Sequence, residues 1–367
     1  MWSMDAPIQY ARTADGVGIA LWTLGTGEPL VYMAGSPWCH VELLQVPECV
    51  RWYESLAENR MLVRYDVRGT GFSDREVDDH SLAAQILDLE AVVESLGLQR
   101  FALFAAANAG PVAIAYAASN PDRVSSLVLW CSWSKGAEIF SPRLDAWRGL
   151  LDHDWQLMTD TCAHLALGWS EGEVGRMAAE NLRESVTPEV MRAALDAVKD
   201  IDVSAMLPNV EAPTLVFSRP EISWIPGEAA RNLASRIPNA RLSILEGEST
   251  APYLGDTEAV INSLRQFLSS EDSATVTGPD ADAPGGDVIN AYAGGPRGHA
   301  KAPPAGLTPR ETQVLRLVAS GKTNNEVAEE LVLSIRTVER HIGNIYSKIG
   351  ARGRADATVF ALKQGVL

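Results

Sequence analysis

Apolar positions in the first part of the chain come in short unbroken runs, and the stretches between them are amphipathic. Ile8 to Thr23 alternates apolar and polar residues as a hairpin does. Pro29–Ala34 (PLVYMA) is a short apolar run of the kind a buried parallel strand gives, and Met61–Asp66 (MLVRYD) reads as a further strand. Val124–Trp130, Pro213–Ser218 (PTLVFS) and Ala240–Leu245 (ARLSIL) read the same way. Between them the spacing predicts helices near Cys49–Glu58, over Ile86–Gly97 and over Gly227–Ile237. Phe101–Ala118 (FALFAAANAGPVAIAYAA) predicts a buried strand that runs through a turn of small residues into a helix. Strands alternating with helices imply an α/β fold, a mostly parallel sheet with helices on both faces.

From Gly306 onward the period is helical. Thr308 is placed to cap a first helix, with Pro309 in its first turn, Glu311 three residues after the cap, and Gly321 beyond its end. Val314, Leu315 and Val318 form its apolar face. A second helix runs from Asn324 or Asn325 to Leu331, Ser334 caps a third that ends at Ile349, and a fourth spans Arg354 to Gln364. The third carries Arg336, Arg340, His341, Asn344 and Lys348 between apolar Val338, Ile342 and Ile345. Two helices joined by the tight VLS turn, the second so charged, make a helix-turn-helix.

Composition places a break between the two parts. Ser269–Ala305 is rich in Gly, Pro, Ala and Asp and poor in large apolar residues, so it reads as a flexible linker between a domain over 1–268 and one over 306–367. Charge divides along the same line. Residues 306–367 carry nine Lys or Arg against six Asp or Glu, or +3, which leaves −19 of the total −16 for the rest. A basic module on an acidic body suits a nucleic-acid reader despite the negative total. Cys39, Cys49, Cys131 and Cys162 fall at no metal-ligand spacing and are expected to be reduced core residues, with no metal or cofactor. The start of the chain has no basic flank followed by an apolar run, and no span is long enough for a membrane, so a cytoplasmic protein is expected.

Several anchors carry a resemblance over about the first 270 residues. Small residues bracket the turn Ala106, Ala107, Asn108, Ala109, Gly110; Ala34 and Gly35 precede a loop; DVRGTGFSD resembles D-x-R-G-x-G-x-S-x; and SNPDRVSSLVL (Ser119–Leu129) follows the strand–turn–helix. Together these resemble the α/β-hydrolase family. The likeness implies a nucleophile elbow at residues 106–110 and an inserted helical cap over about 131–209. Trp133, Trp147, Trp155 and Trp169 would then be either cap core or pocket lining. Position by position, the likeness puts Asn108 at the nucleophile, Ile222 at the acid and Thr250 at the histidine. A Ser-His-Asp mechanism needs a hydroxyl, an imidazole and a carboxylate in those roles. None of His40, His80, His153, His164, His299 or His341 falls at the histidine position, and an amide is a poor nucleophile. The expectation is a hydrolase-like fold without hydrolase chemistry. Its pocket would use Ser36, Asn108, Ser223 and Thr250 as polar groups, with the backbone N–H groups of Ser36 and Ala109, and Gly35 would line it. Trp38, Trp133, Trp155 and Trp224 would be its aromatic walls.

The C-terminal module is similar to the LuxR-type DNA-binding domain. The carrying residues are L-T-x-R-E-x-x-V-L from Leu307, N-x-E-V-A, S-x-x-T-V-x-x-H from Ser334, and K-I-G from Lys348. That resemblance implies that Glu339, Arg340 and Asn344 face base edges of duplex DNA, that Arg336, Thr337 and Lys348 contact phosphates, and that Ser334 caps the docking helix. It also implies a fourth-helix dimer on a palindromic operator. The joint expectation is a one-component transcription regulator whose first domain senses a small, largely apolar organic ligand. The alternative is an active hydrolase with a non-standard triad, joined to the same DNA-binding module.

Overall fold

Alternation inside the run Phe101–Ala106 sets the middle of the larger unit. Phe101, Leu103 and Ala105 enter one apolar cluster, and Ala102 and Phe104 enter another, because successive side chains of a strand point to opposite faces. With both faces covered, the run has no polar alternation. The computed structural model describes residues 7–35, 47–168, 172–222, 224–274, 307, 309–319, 322–331, 333–349, 351, 354, 357, 360 and 361. The chain divides into two compact units, Met1–Gly286 and Asp287–Leu367.

In the first unit the strands are β1 (Gln9–Arg12), β2 (Gly18–Leu24), β3 (Glu28–Met33), β4 (Arg60–Tyr65), β5 (Phe101–Ala106), β6 (Val124–Trp130), β7 (Thr214–Ser218) and β8 (Ala240–Ile244). They form one sheet in the order β1-β2-β4-β3-β5-β6-β7-β8. β2 pairs antiparallel with β1 and β4, and every other pairing is parallel. The helices in chain order are α1 (Pro47–Ala57), α2 (Leu82–Ser95), α3 (Gly110–Ser119), α4 (Pro142–Arg148), α5 (Trp155–Leu167), α6 (Gly172–Ser185), α7 (Pro188–Asp200), α8 (Gly227–Arg236) and α9 (Thr257–Ala274).

α1 and α9 cover one face of the sheet through Trp52, Leu56, Leu264 and Phe267, and α2, α3 and α8 cover the other through Leu89, Ile114 and Leu233. The expected α/β class with a mostly parallel sheet is the class found. α2 starts four residues earlier than its apolar period suggests, because Ser81 accepts a hydrogen bond from the Ala84 N–H and caps it. α9 continues to Ala274, past Ser269 where the linker was expected to begin. Between β6 and β7, helices α4 to α7 assemble an apolar cluster of their own around Met158, Leu182 and Met191.

The turn after β4 is tied to itself and to β2. The Asp66 carboxylate accepts from the Phe72 N–H at 2.8 Å, and Ser73 Oγ accepts from the Ala20 N–H at 2.9 Å. Arg68 is buried beneath it, with Nε 2.9 Å from Asp88 Oδ1 and Nη1 2.8 Å from Asp15 Oδ2.

The second unit holds α10 (Pro309–Ala319), α11 (Asn324–Leu331) and α12 (Ile335–Ile349), with Arg354, Ala357, Phe360 and Ala361 helical where the fourth helix was expected. Val314, Leu315, Val327, Val338, Ile345 and Ala361 make its core. α11 starts at Asn324, the first of the two asparagines expected to open it, and Thr323 caps it. Its Oγ1 accepts the Glu326 N–H at 3.3 Å while its own N–H donates to Glu326 Oε2 at 2.7 Å. Ser334 Oγ accepts the Thr337 N–H at 3.1 Å, as expected of the cap of α12. Thr308 and Gly321, assigned to the ends of α10, lie outside the described residues.

Candidate functional sites

Between β5 and α3 the backbone makes one strained step. Ala107 has φ 46°, a left-handed conformation that costs a non-glycine residue about 1–2 kcal/mol. Close packing holds it there. Ser132 Oγ donates to the Ala107 carbonyl at 2.9 Å, and a Cβ on Gly110 would stand 1.6 Å from that same hydroxyl oxygen. A Cβ on Gly35 would lie 2.8 Å from the Ala106 carbonyl oxygen and 2.9 Å from the Asn108 nitrogen, so the loop after β3 touches the turn through backbone alone. A strand–turn–helix elbow presents its outward side chain on the strained residue. That residue is Ala107, so the elbow apex lies one position before Asn108, to which the sequence pattern assigned it. The N–H that follows the apex belongs to Asn108, whereas Ala109 is buried in the core and is not among the residues that border the cavity over the turn.

A cavity of about 140 Å³ opens over this turn. Gly35, Ala107 and Asn108 border it from the sheet, Thr250 to Tyr253 from the loop after β8, and Phe140, Leu144, Trp147, Cys162, Met191 and Leu195 from the helices of residues 136–200. Of the residues expected to line it, Gly35, Asn108, Trp224 and Thr250 do. Trp133 and Trp155 do not. Trp133 is fully buried behind the wall, edge-on to Trp224 at 6.5 Å, and Trp155 packs against the α5–α7 cluster. Trp147 takes the aromatic role in their place, with Tyr32, Tyr53 and Tyr253 from the sheet side. Ser36, Trp38 and Ser223, and with them Trp169, Cys39 and His40, lie outside the described residues.

Thr250 and Ile222 occupy their positions in specific ways. Thr250 Oγ1 donates to the Ala166 carbonyl at 2.8 Å, and its N–H donates to the same oxygen at 2.6 Å, tying the loop to the end of α5. Its own carbonyl accepts from Trp130 Nε1 at 2.6 Å. Ile222 is 3% exposed and belongs to the apolar cluster under α1 and α9. Arg219, which the sequence reading did not single out, braces the loop from inside. It donates to the carbonyls of Ser249 (2.7 Å), Ala251 (3.1 Å) and Leu254 (2.8 Å) and lies 4.9 Å over the Trp130 ring. Burial pushes the two thiols on the wall, Cys49 and Cys162, up to about 12, so both stay protonated near neutral pH. Arg64 is fully buried beside Tyr53 (4.7 Å) and Tyr32 (5.5 Å), a cationic backing to the phenols on the wall.

On α12, exposure follows the helical period. Arg336, Glu339, Arg340 and Asn344 are exposed along one face, while Val338 and Ile345 are buried on the other. Lys348 is placed differently from its expected phosphate role. Its Nζ lies 2.7 Å from Oε2 of Glu311, a carboxylate only 5% exposed at the start of α10. The pair holds α12 against α10.

Residues 45–192 match the family model described as alpha/beta hydrolase fold, and residues 305–361 match that of bacterial regulatory proteins, luxR family. The chain joins an α/β-hydrolase-fold domain to a LuxR-type DNA-binding domain. The hydrolase-fold domain is similar to RutD of Caulobacter sp. (strain K31), whose name proposes a carbamate hydrolase, at 29% identity over 225 residues, 59% of this chain and 84% of RutD. It also superposes on a hydrolase from Pseudomonas aeruginosa PA01 with a TM-score of 0.63 at 20% identity, covering 72% of this chain and 99% of that one, a likeness of fold. The LuxR-type domain is 49% identical over 59 residues to the transcriptional regulatory protein LiaR of Bacillus subtilis (strain 168), 16% of this chain and 28% of LiaR. Among the described residues, no helix is long and apolar enough to cross a membrane.

Proposed function

We propose that this chain is a one-component transcription regulator in which the hydrolase-fold domain receives a small organic molecule, carries out no acyl transfer, and sets how the LuxR-type domain occupies DNA. The observation that carries the reading is the elbow beneath the cavity. Its strained apex holds the methyl group of Ala107 where acyl transfer needs a nucleophile, and Thr250, at the base position, spends its hydroxyl on the Ala166 carbonyl. A mostly apolar space remains. An engineered cavity of about 150 Å³ takes up benzene, so a space of about 140 Å³ suits a compact molecule with an apolar body. Asn108 and Thr250 border it as polar groups, and Trp147 and Trp224 as aromatic walls. Activity like that proposed by RutD's name has less support here, because the wall thiols are held protonated and no described histidine borders the large cavity.

In the DNA complex, Glu339, Arg340 and Asn344 read base edges, and Arg336 and Thr337 hold phosphates, on a palindromic site bound by a homodimer. A ligand changes DNA occupancy only as far as it binds two arrangements of the protein unequally, and couplings of this kind run to about 1–3 kcal/mol, or roughly 5- to 150-fold in DNA affinity. The test has two arms. Activated esters should turn over no faster with the protein than with an Ala107→Gly variant, and turnover well above that variant would mean a catalytic group elsewhere. Small molecules retained by the purified protein from cell extract should shift its DNA affinity, and Asn108→Leu should remove the shift while ligand-free DNA binding persists. Unchanged DNA affinity with every retained molecule would leave the fold without a receptor role.

A further inference from the structure

Beside the large cavity lies a chamber of about 20 Å³, bordered by Arg68, His80 and Gln85 and shared with the large cavity along Asn108, Leu195 and Val198. A space of that volume holds one water-sized group. Two of its polar side chains are committed. Arg68 is paired with Asp88 and Asp15, and Gln85 Nε2 donates to the His80 carbonyl at 2.9 Å. His80 differs. It is 6% exposed, and among the described residues its Nε2 has no hydrogen-bond partner. The ring also bonds the Val77 backbone, and burial lowers its pKa, so the imidazole is neutral near neutral pH. A neutral imidazole that donates through one nitrogen presents a bare lone pair on the other. The ring lies against Gly69, whose φ is 79° and where a Cβ would stand 2.7 Å from His80 Cε1, so only glycine leaves it room. A buried acceptor of this kind takes a hydrogen bond from a donor small enough to enter the chamber.

We propose that this chamber is the donor end of the ligand site: a molecule in the large cavity extends a hydroxyl or N–H group past Asn108 and donates it to His80 Nε2. This rests on the receptor reading above and narrows it to ligands with a compact apolar body and one hydrogen-bond donor at the end. An apolar molecule of the same shape fills the large cavity and leaves the chamber's acceptor unmet. A molecule ending in a pure acceptor meets a lone pair with a lone pair and is rejected.

The test uses the full chain with two probes of nearly one shape, toluene and benzyl alcohol, which differ by a single hydroxyl. Both are expected to raise the denaturation temperature of the protein. Benzyl alcohol should bind about 3- to 10-fold more tightly, the effect of one neutral hydrogen bond. His80→Phe should erase that difference and keep toluene binding. With 15N-histidine label in the unaltered protein, the His80 Nε2 resonance should move on addition of benzyl alcohol and stay in place with toluene, a readout that serves even if the variant fails to fold. Equal affinities, or an Nε2 resonance indifferent to benzyl alcohol, overturn the chamber assignment and leave the receptor reading standing. Failure of both probes to bind also overturns the chamber assignment, while the receptor reading stands or falls on the DNA-affinity test above.

Discussion

Replacing Gly110 by alanine tests whether the elbow is held by packing. Gly110 opens α3, and by helix propensity alone alanine there would gain about 0.5–1 kcal/mol. The packing argues the other way and more strongly. The new methyl group would sit 1.6 Å from Ser132 Oγ and 2.6 Å from its Cβ, so Ser132 must move. Overpacking of this kind costs about 1–3 kcal/mol. Moving Ser132 also breaks its 2.9 Å bond to the Ala107 carbonyl, worth about 0.5–1.5 kcal/mol. The net expectation is a loss of about 1–3 kcal/mol, or roughly 2–12 °C in Tm for a unit of this size. The assay is equilibrium urea unfolding of Gly110→Ala, Ser132→Gly and the two combined. The double variant should recover at least half of the Gly110→Ala loss, because the clash and the lost bond share one partner and couple in a double-mutant cycle. A Gly110→Ala protein as stable as its parent, or a double variant whose losses simply add, would refute the packing account of the strained turn.

Lys348→Met should destabilise the LuxR-type domain in the absence of DNA by about 1–3 kcal/mol, because it removes the ion pair that Lys348 makes with the buried Glu311 carboxylate, and adding Glu311→Gln should restore part of the loss. An unchanged melting curve would return Lys348 to a purely phosphate-contacting role. Arg340→Ala should cost about 1–3 kcal/mol in DNA affinity and relax base preference with no change in melting temperature, read in mobility-shift titrations. Hydrogen bonds from Arg68 and Thr13 hold the Asp15 carboxyl down at about 2 in the folded chain, against 3.8 unfolded. A lowered carboxylate pKa contributes stability that is present above about pH 4 and lost as the pH falls toward 2, so Asp15→Asn should flatten the acid limb of the stability profile. The same acid limb in both proteins would mean that the bridge is absent in solution.

Local pattern was enough for the architecture. Unbroken apolar runs mark the strands buried on both faces, and a helical period with Ser334 at a cap and charges on one side marks α12, because periodicity and capping are properties of neighbouring residues. The residue types at the elbow, the acid position and the base position were also legible, since a side chain's chemistry needs no fold to be read. Which residue stands at the apex was not. Runs of alanine fit the spacing in either register, and only the φ of Ala107, imposed by Gly35 and Ser132 from other elements, separates the two. The tryptophans of residues 131–169 are alike in sequence, but packing turned Trp147 toward the cavity and buried Trp133 behind Trp224. Thr250 on Ala166 and Lys348 on Glu311 are likewise contacts between segments far apart in the chain, and His80 and Asn108 border one chamber from distant segments. Sequence periodicity determines which face of an element is apolar or charged. What meets that face, and so which polar atom is spent and which is left for a ligand, depends on how distant elements pack, and only the tertiary structure decided it.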